Sequence, residues 1–149
     1  ELDWLRTAVH LGKGCYKGQE TVARVHNLGH PPRRLVGLMI DGSVHGLPEV
    51  GAEIIVRPDA DDEAAMASAR SIGTLKSVAM HHEMGAVGTA MIRRNTKPDA
   101  QLIIREVPPE DAAEDEQPNF TAAAQETLTS PSAGKVVGRV QGLTDLRRR

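Results

Sequence analysis

The sequence is poor in aromatic residues and in cysteine. Its 149 residues include one tryptophan, one tyrosine and one phenylalanine, so a hydrophobic core must be built from aliphatic side chains. Cys15 is the single cysteine, which excludes a disulfide within the chain and four cysteine ligands for an iron–sulfur cluster. No apolar run reaches the roughly 20 residues of a membrane-spanning helix, and no signal-peptide pattern is present. These absences predict a cytoplasmic protein without a membrane partner.

Charge is nearly balanced overall but unevenly distributed. The net charge is −2, and residues 1–105 carry 13 basic and 12 acidic groups. Residues 106–134 carry seven acids and no Lys or Arg, whereas residues 135–149 carry five basic groups. A nucleic-acid-binding surface places a cationic stripe on the folded part of the chain. The near-neutral body lacks that excess, so no direct nucleic-acid partner is expected.

Residues 34–107 have the pattern of a small β domain. Short apolar runs alternate with turn signals such as Asp41-Gly42, and five strands are predicted, at 35–40, 52–56, 72–80, 86–94 and 101–107. The acidic, alanine-rich stretch 59–69 is expected to be an exposed insertion or a short helix. Five or six short strands with turns between them favour a small antiparallel β-barrel or sandwich.

The flanking segments are less regular. Residues 2–11 predict a short helix, and 18–24 are compatible with either a helix or an extended arm. Pro31 and Pro32 predict a turn over 27–32. Residues 108–134 lack large apolar side chains over most of their length and are expected to be disordered, while 135–140 alternate weakly like an edge strand. We therefore predict three parts. Residues 1–33 contain the motif described next and a linker, residues 34–107 form a barrel, and residues 108–149 form a disordered acidic linker with a basic tail.

One stretch concentrates unusual residues. Residues 13–20 (Lys-Gly-Cys-Tyr-Lys-Gly-Gln-Glu) place the single thiol beside the single tyrosine, between Gly14 and Gly18. Lys13 precedes Cys15 by two residues, and a nearby cation favours the reactive thiolate form. The alternative interpretation is that Cys15 is a small buried hydrophobe.

Histidines offer a second candidate site. His26 and His30 have a spacing that one helix face could use for a metal, with Cys15 and His10 as further ligands. Gly29 and Pro31 oppose a continuous helix there, so no metal site is predicted. The pair His81-His82 is expected to lie in an exposed connection between two strands.

The signature resembles that of a known family. Residues 13–20, followed by Val-Ala-Arg at 22–24, are similar to the signature of the YgfZ family of folate-binding proteins, relatives of the glycine-cleavage T-protein, an aminomethyltransferase. Residues 26–38, 72–77 and 88–94 resemble segments that lead into and form the family's C-terminal barrel. The resemblance covers about residues 3–106. It implies a C-terminal portion of a longer protein whose folate-binding region lies upstream.

The resemblance also implies roles for individual residues. Cys15 and Lys13 become the candidate catalytic pair, and tetrahydrofolate or a one-carbon derivative becomes the cofactor. The implied cofactor-binding residues are Gly14, Tyr16, Gly18, Gln19, Glu20 and Arg24. An alternative for Glu20 and Arg24 is a plain i,i+4 ion pair on a helix.

Three functions remain open from the sequence. The resemblance implies tetrahydrofolate-dependent support of iron–sulfur cluster assembly or repair, and thereby of tRNA modification, with iron–sulfur proteins as clients. The first alternative is an aminomethyltransferase that moves a one-carbon unit to tetrahydrofolate. T-proteins usually carry an acidic residue where Cys15 stands, so the cysteine favours the YgfZ-like interpretation. The second alternative is a non-catalytic barrel that serves as an interaction module.

Overall fold

A computed structural model describes residues 14–28, 30–42, 46–60, 62–108 and 117–131. Within these ranges the chain forms two helices and six strands. In chain order they are α1 (Gln19–Leu28), β1 (Arg33–Ile40), β2 (Glu53–Val56), α2 (Glu63–Ser68), β3 (Gly73–His81), β4 (Gly85–Arg93), β5 (Leu102–Glu106) and β6 (Asn119–Glu126). Neither helix of the described ranges has the length and apolar character that crossing a bilayer requires.

The six strands close into a barrel. Their order around the barrel is β1-β4-β3-β2-β5-β6, and β6 pairs with β1 to complete the ring. All neighbouring strands are antiparallel. The predictions of a mainly β fold and of a small antiparallel barrel are therefore confirmed. The five strands predicted from the sequence all form, with bounds that differ by one or two residues.

Alternation along the strands fills the barrel with aliphatic side chains. In β1, Val36, Leu38 and Ile40 point inward and are buried, whereas Met39 between them is exposed. The same alternation in the other strands contributes Ile54, Leu75, Ala86, Ala90, Ile92, Leu102, Ile104 and Ala123 to the core. Among the described residues, no aromatic side chain belongs to this cluster, in agreement with the scarcity of aromatic residues in the sequence. Side chains of this size fit the narrow interior of a six-stranded barrel.

Two strands approach each other closely at a glycine. A Cβ atom on Gly73 of β3 would lie 2.8 Å from the Cα of Ile92 on β4 and would also collide with the carbonyl oxygen of Met91. Those obstacles are backbone atoms, which cannot move aside without displacing the strand. The absence of a side chain at Gly73 is therefore a condition for the β3–β4 pairing.

The helix α2 is attached to the outer side of the barrel through Arg105. Ile55 and Ile103 are opposite each other on β2 and β5 and are buried although they do not belong to the interior cluster. In the same outward row, Arg105 reaches α2 and donates to the carbonyl oxygens of Met66 (2.9 Å), Ala67 (2.5 Å) and Ala69 (3.0 Å). The 59–69 stretch was predicted to be an exposed insertion or a short helix. It contains a helix, and that helix is bound to the barrel through Arg105.

The predicted disorder of 108–134 is wrong over residues 119–126. These residues form β6, which pairs with β5 on one side and with β1 on the other. The barrel therefore extends at least to Glu126, beyond the predicted boundary at 107. Thr121 and Ala123 point inward and are buried, so small side chains are sufficient where two strands already supply most of the contacts. Residues 109–116 and 132–149, including the predicted edge strand at 135–140, lie outside the described residues.

The segment before the barrel is helical. Helix α1 runs from Gln19 to Leu28, which decides between the helix and the extended arm left open for 18–24. It also includes Asn27 and Leu28, so the predicted turn over 27–32 begins two residues too early. Pro31 and Pro32 follow the helix end, in agreement with their inability to continue a helix. The helix predicted for 2–11 lies outside the described residues.

Candidate functional site

The signature residues form a loop that folds back on the first turn of α1. Gly18 has a φ of 78°, a left-handed conformation that glycine adopts readily. Its carbonyl oxygen accepts from the Val22 N–H at 3.0 Å, which begins the helix. The Gln19 N–H donates to the Tyr16 carbonyl at 3.3 Å, and its side-chain nitrogen donates to the Gly14 carbonyl at 3.5 Å. Gly18 and Gln19 thus hold the loop in place through its backbone.

This loop presents its thiol to solvent. Cys15 is exposed and is not part of a disulfide, so the interpretation as a buried hydrophobe is wrong. Tyr16 next to it is half-buried. Lys13 lies outside the described residues, and its pairing with Cys15 stays a prediction.

Glu20 and Arg24 form an ion pair on the surface of α1. Their side chains approach to 3.4 Å and are 88% and 69% exposed, which confirms the i,i+4 interpretation. Exposed pairs of this kind stabilise a helix by only about 0.3–0.5 kcal/mol because water screens both charges. A ligand that broke this ion pair would therefore reduce the stability of the helix only slightly.

The signature site is local and one-sided. Within the described part of the chain, the side-chain hydrogen bonds of its residues stay between positions 14 and 24. No residue of α1 whose side chain is described is fully buried. Sequence proximity thus brings these chemical groups together, and no other described part of the chain is hydrogen-bonded to their side chains.

The histidine candidates do not form a metal centre among the described residues. No group of three or more His, Cys, Asp or Glu side chains lies close enough there to hold an ion. His26 is on α1, whereas His30 follows its end. His81 Nδ1 accepts from the backbone N–H groups of Glu83 and Met84, both at 3.2 Å. It thereby stabilises the turn between β3 and β4, and His82 beside it is exposed as predicted.

A second polar site, which the sequence reasoning missed, lies at one end of the barrel interior. Arg34 occupies the inward position that precedes Val36 on β1, and its exposed fraction is 0%. Its Nη2 donates to the carbonyl oxygen of Thr96 at 3.0 Å and to Oε1 of Gln125 at 2.9 Å. Its Nε and Nη1 are buried and have no acceptor within the described part of the chain. Strand alternation could have revealed it, because Arg34 continues the row of Val36, Leu38 and Ile40.

Arg94 lies beside this site. Its backbone N–H donates to the Pro32 carbonyl at 3.0 Å, and its side chain donates to the Pro31 carbonyl at 3.4 Å. Arg94 is 8% exposed. Burial lowers the pKa of Arg34 from its ordinary value, and the positive charge of Arg94 lowers it further. Two arginine side chains are thus buried at this end of the barrel.

A scan of protein-family models and a search of curated proteins gave no match to this chain. The resemblance to YgfZ-like proteins therefore depends on the motif residues alone.

Proposed function

We propose that this chain is the signature helix and barrel of a YgfZ-like folate-binding protein. In this proposal the protein is cytoplasmic and supports tetrahydrofolate-dependent assembly or repair of iron–sulfur clusters, and thereby tRNA modification. The observation that supports it is the exposed thiol of Cys15, held in a glycine-bracketed loop that opens α1 just before an antiparallel barrel. This is the order of parts that the resemblance implies.

The chemistry available at the loop suits this role. An exposed thiol can act as a nucleophile or as a ligand to a client's iron, and both uses need the thiolate. The half-buried ring of Tyr16 offers a flat surface for a pterin or aminobenzoyl group. Glu20 and Arg24 can exchange their weak mutual pair for bonds to polar atoms of the folate. A small-molecule pocket also needs an enclosing wall, which the upstream region would supply.

Calorimetric titration with tetrahydrofolate tests the binding part of the proposal. We expect the 149-residue chain to bind tetrahydrofolate with a dissociation constant in the millimolar range or higher, a binding free energy of about −4 kcal/mol or weaker. The full-length protein should bind it much more tightly. In the full-length protein, Tyr16→Ala and Glu20→Gln should weaken binding. The neighbouring Lys17→Ala is the matched control, because Lys17 is exposed and has no assigned role. Full-length protein that ignores folate would contradict the proposal.

Complementation in cells tests the role of the thiol. Cys15→Ala in the full-length protein should reduce the activity of iron–sulfur enzymes while leaving the folded protein at its normal level, and Lys17→Ala should not. Full complementation by Cys15→Ala would contradict the assigned role. If the purified protein instead transferred a one-carbon unit to tetrahydrofolate without needing Cys15, the aminomethyltransferase alternative would be favoured. A protein that did neither would be an interaction module.

A further inference from the structure

The barrel holds a buried positive charge whose hydrogen bonds are incomplete. A guanidinium carries five N–H donors, and Arg34 uses the two on Nη2. The N–H of Nε and the two of Nη1 are buried without an acceptor. Native proteins rarely leave buried donors unsatisfied, and a buried charge normally has a partner of opposite sign. Three such donors on one fully buried side chain indicate that a binding partner is missing.

Among the residues that the structure describes, no negatively charged group is bonded to Arg34. Its two acceptors, the Thr96 carbonyl and the Gln125 carboxamide, are both neutral. The nearest charged neighbour in the strand ladder is another cation. Arg34 pairs with Ile92, and the bond from the Arg94 N–H to the Pro32 carbonyl continues the same ladder two residues further along, past the pair of Arg33 and Arg93. Two arginines therefore occupy successive inward positions at one end of the barrel, and the proposal depends on the unfilled donors of Arg34.

Arg105 is another buried arginine of the same barrel, and its hydrogen bonds are complete. It is 8% exposed, and its Nε and Nη2 both donate to the carboxylate of Glu53. Its Nη1 donates to three carbonyl oxygens at the end of α2. Every nitrogen of Arg105 has an acceptor, and its charge has a counter-charge. The contrast with Arg34 identifies what is absent at the other site, namely an anionic group.

We propose that the barrel end framed by Arg34, Arg94, Thr96 and Gln125 binds an oxyanion, the carboxylate or phosphate group of a small molecule. Nε of Arg34 donates to one of its oxygens, because Nη1 lies on the opposite edge of the guanidinium and cannot reach the same group, and Arg94 adds a second positive charge. Gln125 holds Arg34 in position, because its side-chain nitrogen is itself bound to the carbonyls of Lys97 (2.7 Å) and Ala100 (3.0 Å). The site is distinct from the signature loop, and the inference is independent of the proposed folate function.

The anion must enter past a surface turn. Residues 95 and 97–99 are exposed, whereas Thr96 between them is buried against Arg34. This turn is held by bonds from the Thr96 N–H to the Arg93 carbonyl (3.2 Å) and from the Ala100 N–H to the Lys97 carbonyl (3.2 Å). Neither bond is part of a strand pairing, so this turn is the proposed entry for a small group or for the end of a longer molecule.

Side-chain NMR of the wild-type chain tests the site directly. Inorganic phosphate or acetate, titrated against sodium chloride at equal ionic strength, should shift the Nε–H resonance of Arg34 in a saturable manner. The Nε–H resonance of Arg105 is the internal control and should not shift, because this N–H already donates to the carboxylate of Glu53. Saturation by phosphate identifies a phosphoryl ligand, and saturation by acetate identifies a carboxylate. A resonance that responds to neither beyond the chloride control overturns the proposal.

Thermal unfolding provides the second measurement. A saturating anion should raise the Tm of the wild type by about 4 °C over the chloride control, because it binds the folded state alone. Arg34→Met should lose this increment whatever its own Tm. Arg70→Met, which removes the same charge from an exposed position, should keep it. If both variants kept the increment, the anion would bind elsewhere and the proposal would be wrong.

Discussion

The guanidinium of Arg105 on β5 binds the carboxylate of Glu53 on β2, with 2.9 Å between Nε and Oε2. The same guanidinium donates through Nη1 to the last carbonyls of α2. One side chain therefore joins two strands of the barrel wall to the insertion between β2 and β3. It also satisfies carbonyls at a helix end that have no partner within the helix.

Arg105→Met should lower the free energy of unfolding by about 2–4 kcal/mol, because it removes an ion pair and leaves three carbonyl oxygens without a donor. Urea denaturation measures this difference. Arg70→Met is the matched control, and its exposed position predicts a change within about 0.5 kcal/mol. A loss below about 1 kcal/mol for Arg105→Met would mean that water replaces its bonds and that α2 does not depend on them.

Gly73→Ala should destabilise the barrel by about 3 kcal/mol or more. The added methyl group would overlap the backbone of β4 at Met91 and Ile92, and backbone cannot relax as a side chain can. Gly42→Ala is the control, since nothing lies within 4 Å of the added atom there. Thermal unfolding of the two variants checks the difference. Equal stability would show that β3 and β4 can separate without cost at this position.

Removal of β6 should abolish cooperative folding. A chain that ends after Val107 leaves the outer edges of β1 and β5 without partners, whereas a chain that ends after Pro131 keeps both ladders. We expect a sharp thermal transition for the longer chain and none for the shorter one. In the intact protein, amides of 121–125 should exchange as slowly as those of the neighbouring strands. Rapid exchange there would contradict the closed barrel.

The thiol of Cys15 should react in the native state. Because the side chain is exposed, a thiol reagent should modify it at a rate within about tenfold of that in denaturant. Absorbance of the released reagent follows the reaction, and circular dichroism should show an unchanged fold. Modification that begins only when the protein unfolds would mean that the loop buries its sulfur.

The sequence predicted the five strands that contain large aliphatic residues between turn signals. Their positions, including runs such as Leu35-Val36 in β1 and Ile54-Ile55 in β2, were predicted to within two residues. β6 was missed because its inward residues are Thr121 and Ala123, whose small side chains follow an acidic, proline-containing stretch. Their burial comes from β1 and β5 and not from their own hydrophobicity. The strand order is likewise a property of the assembled barrel, which local patterns do not encode.

The two candidate sites also differ in how far the sequence alone could predict them. The signature loop could be found from sequence because its unusual residues are contiguous, although the exposure of Cys15 could not. Arg34 was not predicted to be a site residue because arginine usually lies on the protein surface. Its position in the inward row of β1 would have predicted burial, but its relation to Arg94 and Gln125 depends on contacts between distant parts of the chain.

The pairing of β1 with β6 means that the barrel cannot close during synthesis until its last strand has been made. Gly37 pairs with Glu126 in the ladder between β1 and β6, so the ring cannot close before Glu126 has been synthesised. Until then a nascent chain presents β1 and β5 as open sheet edges, the surfaces on which other extended chains add. Contacts between residues so distant in sequence also form slowly. The interval between translation of β1 and of β6 is therefore the period in which this protein is most exposed to aggregation and has most use for a chaperone.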